Sequence, residues 1–253
     1  MESCKGTEKK QKKNSVLLLF GIILVLFFTG AVLLHRLRTT RPDEAFLPES
    51  GSYLIQGVPH YNQKKSYPTG CESVAAVSLM QYYGIDISIH EFIDDYLPKA
   101  GLPVSRGSDT LYGESPWKYF IGDPKAEDGC GCYAPVIVGA VNRVPETGFH
   151  AKFLTDTDLM ALSEEYVSNE TPVLIWATIG MTKTRPGRSW VLPDGTDFTF
   201  PKPEHALLLI GYDEESYYFS DSLSDKRITA YPKEDCEKAF AALGCQAVIL
   251  CPD

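Results

Sequence analysis

The longest unbroken apolar stretch of the chain comes first: Val16 to Leu34 runs for nineteen residues without a charge. At about 1.5 Å of rise per residue, a helix of that length just spans a hydrocarbon core of ~30 Å. The run is apolar all round, which suits lipid better than a one-sided core position. Lys5, Lys9, Lys10, Lys12 and Lys13 precede it, against Arg36, Arg38 and Arg41 after it, so the positive-inside bias keeps the amino terminus in the cytoplasm. A cleaved signal peptide competes, with Val16 to Phe28 as its apolar region and Thr29-Gly30-Ala31 as its cleavage site. The anchor is favoured because the apolar run continues to Leu34. The expected organisation is a basic cytoplasmic tail at 1–15, a transmembrane signal anchor at 16–34, a linker at 35–52 and one extracytoplasmic domain at 53–253.

Beyond the linker the pattern changes period. Tyr53 to Val58 has strand character, and Pro59 to Gly70 reads as a loop. From Cys71 the spacing turns helical, with Val74, Val77, Leu79 and Met80 on buried turns, small Ala75 and Ala76 between them, and Gly84 as the stop. Ser88-Ile-His-Glu91 is a capping box that opens a second helix, which Pro98 ends. Residues 99–132 are rich in Gly, Pro and Asp and predict a long packed loop. Helices follow at Ala134 to Arg143 and Asp156 to Val167. Strands are expected at Pro172 to Ile179, Ala206 to Tyr212, Tyr217 to Ser220, Arg227 to Ala230 and Gln246 to Leu250, interrupted by a helix over Lys233 to Leu243. Helices first and strands later predict an α+β domain, its helices gathered on one side of a mostly antiparallel sheet.

Charge narrows the partners. The whole chain carries a formal net charge of -9, yet the first 41 residues hold eight Lys or Arg and only two Asp or Glu. The remainder is therefore strongly acidic, which disfavours phosphate backbones, and no nucleic-acid partner is expected. Of the seven cysteines, Cys4 falls in the tail, and Cys71, Cys130, Cys132, Cys236, Cys245 and Cys251 fall where disulfides can persist. With Cys71 set aside as a free thiol, five remain and at least one is unpaired. Cys130-Gly-Cys132 lacks a second ligand pair at zinc-site spacing, so no metal is expected there.

The chemistry gathers around Cys71. It stands at a helix start, where unpartnered amides and the helix dipole favour negative charge, so its thiol is expected to ionise below the ~8.5 of a free cysteine. A base is found in His205. Two apolar stretches flank a turn around Tyr212 to Ser216, and antiparallel pairing about Asp213 sets His205 opposite Asp221 if no bulge intervenes. A carboxylate beside an imidazole fixes its tautomer and raises its basicity. His60, in the loop before Cys71, competes as base but has no evident carboxylate to orient it. His35, His90 and His150 have juxtamembrane, helical and surface readings. For an oxyanion donor, the same loop offers Gln63 first and Asn62 second.

These segments carry a resemblance. Val58-Pro-His-Tyr-Asn-Gln63, Tyr67-Pro-Thr-Gly-Cys71-Glu-Ser73 and His205 through Asp221 resemble the bacteriocin-processing (double-glycine leader) peptidase-like family, family thirty-nine of the cysteine peptidases in the papain-like superfamily. Ser115-Pro-Trp-Lys-Tyr-Phe-Ile-Gly-Asp-Pro124 and Gly131-Cys-Tyr-Ala-Pro-Val136 extend it over about Val58 to Leu250. The resemblance implies a papain-like fold in which the helix bearing the nucleophile packs on the sheet. It implies Cys71 as nucleophile, His205 as general base and acid, Asp221 as orienter, Gln63 as oxyanion donor, and a peptide or protein substrate with no cofactor. No Walker A motif accompanies these segments, so leader cleavage by a transporter is not implied. Residues 180–204 are expected to form a flap or wall beside the site and 101–129 its opposite wall. A catalytically silent surface binding module of the same fold, and an acyltransferase crosslinking cell-surface amines, remain the alternative functions.

Overall fold

The carboxy-terminal apolar runs pair into one sheet in the computed structural model of the protein, which describes residues 52–107 and 109–253. The expected tail, membrane anchor and nearly all of the linker lie outside the described residues. The strands are β1 (Tyr53–Leu54), β2 (Lys99–Ala100), β3 (Val104–Ser105), β4 (Leu111–Tyr112), β5 (Phe120–Ile121), β6 (Phe149–Leu154), β7 (Val173–Thr178), β8 (Arg185–Val191), β9 (Asp197–Lys202), β10 (Glu204–Tyr212), β11 (Ser216–Ser220), β12 (Thr229–Pro232) and β13 (Ala247–Pro252). The helices are α1 (Cys71–Tyr82), α2 (Ile89–Glu91, running on as a π-helical turn to Tyr96), α3 (Ala134–Val141), α4 (Leu159–Glu165) and α5 (Lys233–Ala242).

The main sheet is antiparallel throughout, in the order β12-β11-β10-β7-β13-β6, with β1 pairing the far end of β10. Its two central strands read as continuous apolar runs for a physical reason. Every residue of β7 is buried, and so is β10 from His205 to Gly211. Successive side chains on a strand point to opposite faces, so both faces of the sheet are covered. Helix α1 packs on β10 and β7, and α5 packs on β7 as well.

Helix α1 begins at Cys71, as the pattern predicts, directly after Gly70 and without a side-chain cap. Its residues Cys71 to Met80 are all buried, including Glu72, Ser73 and Ser78. A helix enclosed on all sides must satisfy its polar groups internally, and the Ser78 hydroxyl does so by donating to the Val74 carbonyl at 2.9 Å. The turn to the next segment comes at Gly84, whose φ of +80° is one that glycine adopts without strain. In α2 the Ser88 side chain accepts the Glu91 amide, which is half of the expected capping box.

Two stretches differ from their sequence reading, and a third takes a definite form. The strand expected over Tyr53 to Val58 keeps only Tyr53 and Leu54 in a ladder. The long loop at 99–132 contains four two-residue strands, β2 to β5, tied into small ladders. The segment 180–204, expected as a flap or wall, contains the hairpin β8 and β9, which forms a further sheet with β3 and β4. Trp190, Phe198 and Phe200 pack aromatic faces and edges together in that sheet.

Candidate active site

Asp221 follows the last residue of β11, and His205 is the second residue of β10. They meet in a buried bond, His205 Nε2 to Asp221 Oδ1 at 2.7 Å. The route differs from the expected one. A bulge between Leu209 and Gly211 breaks the register, and the last pair of the β10–β11 ladder is Leu208 with Ser220. Asp221 therefore reaches His205 from beyond the strand end and not from a directly opposed position. The Tyr231 hydroxyl and the Leu223 amide donate to the same carboxylate at 2.9 Å each. Burial disfavours an ionised Asp221, but the hydrogen bond and charge of His205, with these two donors, outweigh it and hold the carboxyl at about 2. An ionised carboxylate only accepts, so His205 Nε2 carries a proton, and in the neutral ring the lone pair is then on Nδ1. That Nδ1 is buried and has no hydrogen-bond partner among the described residues.

Cys71 comes against the same strand. Its sulfur faces the Ala206 amide, and it belongs to a cluster with Glu72 and Glu204 in which one donor atom of each lies within 4.8 Å of the others. Glu204 and Ala206 are the two neighbours of His205 on β10. The expected acidification of the thiol is not what this environment produces. Burial pushes the Cys71 thiol well up, and the charges of Glu72 and Glu204 push it further, against the favourable Ala206 amide. The helix-start argument holds for the backbone, but it omits two carboxylates that the tertiary structure brings to the sulfur.

Those carboxylates form a pair of their own. Glu72 is fully buried; its Oε1 accepts the Cys132 amide at 2.7 Å, and its Oε2 accepts the Cys71 S–H at 3.3 Å. Burial raises Glu72 to about 6, opposed by those donors and by the charge of His205. Glu204 is pushed well above the usual carboxylate range by burial of its carboxyl and by the Glu72 charge. Its Oε1 is buried with no partner among the described residues.

Gln63 is buried nearby, but both ends of its amide are engaged: Oε1 accepts the Ser222 hydroxyl, and Nε2 donates to the Pro68 carbonyl at 3.2 Å. A primary amide carries two hydrogens, so one donor of Gln63 remains. Asn62 instead holds the exposed Asp225. His60 is used at both nitrogens, against the Ser220 hydroxyl at 3.2 Å and the Ser224 carbonyl at 3.1 Å, so it braces the segment that carries Asp221. All six described cysteines are free thiols.

Sequence reasoning missed Glu72, Glu204, Ser222 and Tyr231. Glu72 and Glu204 were visible as the chain neighbours of Cys71 and His205. An acid in the first turn of a helix ordinarily reads as a solvated partner of the dipole, and nothing local says that it is buried.

The description "Peptidase_C39 like family" matches residues 55–248 of the chain. Among solved structures, a C39-like peptidase from Bacillus anthracis is 25% identical with a TM-score of 0.69, over 80% of this chain and 98% of that one. The peptidase domain of Streptococcus ComA, a bi-functional ABC transporter involved in a quorum sensing pathway, is 15% identical with a TM-score of 0.43, over 79% of this chain and 98% of that one. A double glycine motif protease from an AMS/PCAT transporter, solved with the leader peptide, is 15% identical with a TM-score of 0.44, over 80% of this chain and 99% of that one. These last two overlap too loosely to assign anything to this chain. No curated protein matches it.

Proposed function

This chain belongs to the Peptidase_C39 like family and is a cysteine peptidase of papain-like fold, and on that premise we propose that it hydrolyses a peptide or isopeptide bond with Cys71, His205 and Asp221 as its catalytic triad. The observation that carries this reading is the buried His205–Asp221 bond, which leaves the Nδ1 lone pair unpartnered on the strand against which Cys71 packs. Cys71 loses its proton to Nδ1 and attacks the carbonyl carbon, forming a carbon–sulfur bond. The imidazolium then gives that proton to the departing amine as the carbon–nitrogen bond breaks. Water, activated by the same imidazole, hydrolyses the thioester and returns the thiol. Asp221 keeps the ring in its tautomer and balances the imidazolium. The Cys71 backbone amide and the remaining Gln63 hydrogen are the oxyanion donors.

A thiol-directed activity probe on the domain tests the triad. Labelling should fall on Cys71, drop at least about 100-fold in His205→Ala, and vanish in Cys71→Ala with folding retained. Turnover that persists in Cys71→Ala ends the assignment. Product analysis with added amines separates hydrolysis from acyl transfer.

The substrate side follows from position. Residues 16–34 anchor the protein in the membrane and the domain works outside it, a reading supported by the apolar run and the lysines before it. Digestion of the domain by protease added to intact cells is the expected result, and full protection would reverse the orientation.

A further inference from the structure

A papain-like thiol is expected to share its proton with the catalytic imidazole. Here the Cys71 S–H is directed to Glu72 Oε2 at 3.3 Å, and His205 Nδ1 has no partner among the described residues. Glu72 is itself held in place, because its other oxygen takes the Cys132 amide and the Cys132 carbonyl takes the Trp176 indole N–H at 2.8 Å. Glu204 stands against it, with one carboxylate oxygen buried and unpartnered. The chain makes room for both acids at Gly131, where a Cβ would lie 2.7 Å from Glu72 Oε1 and 3.0 Å from Glu204 Oε2. Two carboxyls this close out of water do not both ionise, so the pair retains a proton.

We propose that Glu72 and Glu204 are positioning residues for the nucleophile: the ionised pair holds Cys71 as a neutral S–H donor to Glu72, and uptake of a further proton by the pair releases that thiol to His205. The inference rests on the catalytic reading of Cys71 and His205 given above. The proton balance is simple. With Glu72 ionised, moving the thiol proton to Nδ1 would set a thiolate beside a carboxylate. With Glu72 protonated, its O–H can donate to the thiolate, and the same transfer yields a stabilised thiolate–imidazolium pair.

The groups facing this site come from every packed element. Helix α1 gives Cys71 and Glu72, and β10 gives Glu204 and His205. The segment before α3 gives the Cys132 thiol, which faces both acids, and Tyr133, which faces Glu204. Asp221 acts through His205, while Arg188 lies by the neighbouring Cys130 at 3.7 Å. Glu72 is raised to about 6, and Glu204 is pushed well above the usual carboxylate range.

The test is the rate of Cys71 alkylation by iodoacetamide against pH, read by peptide mass spectrometry, with Cys245 and Cys251 as internal references. An ordinary thiol slows by about tenfold per pH unit on acidification. Cys71 should instead speed up between about pH 8 and about pH 5.5, together with turnover. In Glu72→Gln the rate at about pH 7.5 should rise at least about tenfold and the acid-side gain should disappear. Glu204→Gln should move it the same way by a smaller factor, and it serves if Glu72→Gln does not fold. Wild-type pH profiles in both variants, alongside Cys71-dependent turnover, overturn this inference and leave the triad standing. Cys71 slowing in parallel with the reference thiols, with no turnover at any pH, overturns the triad and the inference with it.

Discussion

At Gly131 one hydrogen in place of a methyl group decides whether two carboxylates can share a site. Its φ of +120° is a conformation that side chains rarely adopt, and the space a Cβ would take is filled by Glu72 and Glu204. Gly131→Ala is therefore expected to cost about 2 kcal/mol in denaturant unfolding, chiefly from backbone strain. It should also disturb the Cys71 pH profile, because the acids must separate. Stability equal to wild type would show that the segment can shift at no cost. Cys71, His205 and Asp221 could be singled out in the sequence because each sits in a local pattern: a helix start, a strand start and the far arm of a hairpin; the structure bonds His205 to Asp221. Glu72 was legible only as a letter, since its burial depends on Cys132 and Glu204, which lie far from it along the chain.

β10 shows how much a single element decides. It pairs with β7 and β11 and takes β1 at its far end, where Leu54 faces Gly211. The approach is close: a Cβ at Gly211 would lie 2.5 Å from the Tyr53 carbonyl oxygen and 2.9 Å from Leu54 Cδ1. Gly211→Ala should push β1 away at a cost of about 1–3 kcal/mol. The loss should register first as faster hydrogen exchange at the Ile55 amide, which donates to the Ile210 carbonyl at 2.8 Å. Unchanged protection of Ile55 would place the adjustment elsewhere. The expected hairpin about Asp213 is real, but its register is offset by a bulge that alternating hydrophobicity does not reveal. The β8–β9 hairpin was also readable in principle from Asp194-Gly195 between apolar arms, a turn signal that the flap reading passed over.

At the scale of the molecule, the site's carboxyls pull stability in opposite directions with pH. Glu72, raised from 4.5 to about 6, binds its proton more tightly folded than unfolded, so its contribution is full below 4.5 and is lost as pH rises through about 6. Glu204 shifts in the same direction. Asp221, lowered from 3.8 to about 2, contributes fully above 3.8 and loses that contribution as pH falls toward 2. A domain beginning at residue 52 should therefore gain thermal stability on going from about pH 7.5 to about pH 5. Glu72→Gln should gain less, because the amide carries no charge to bury at neutral pH and Glu204 alone then contributes. Thermal midpoints of the two proteins across that range check the expectation, and parallel curves would contradict it.

The sequence by itself determined where most of the elements lie and which residues could do chemistry, because periodicity, caps and turn residues are local and Cys71, His205 and Asp221 each lie at an element end. It also determined the charge contrast between the first 41 residues and the rest. Only the tertiary structure decided what surrounds the sulfur. The state of a thiol depends on burial and on every charge within a few ångströms, and the residues that supply both reach Cys71 from three separate segments of the chain.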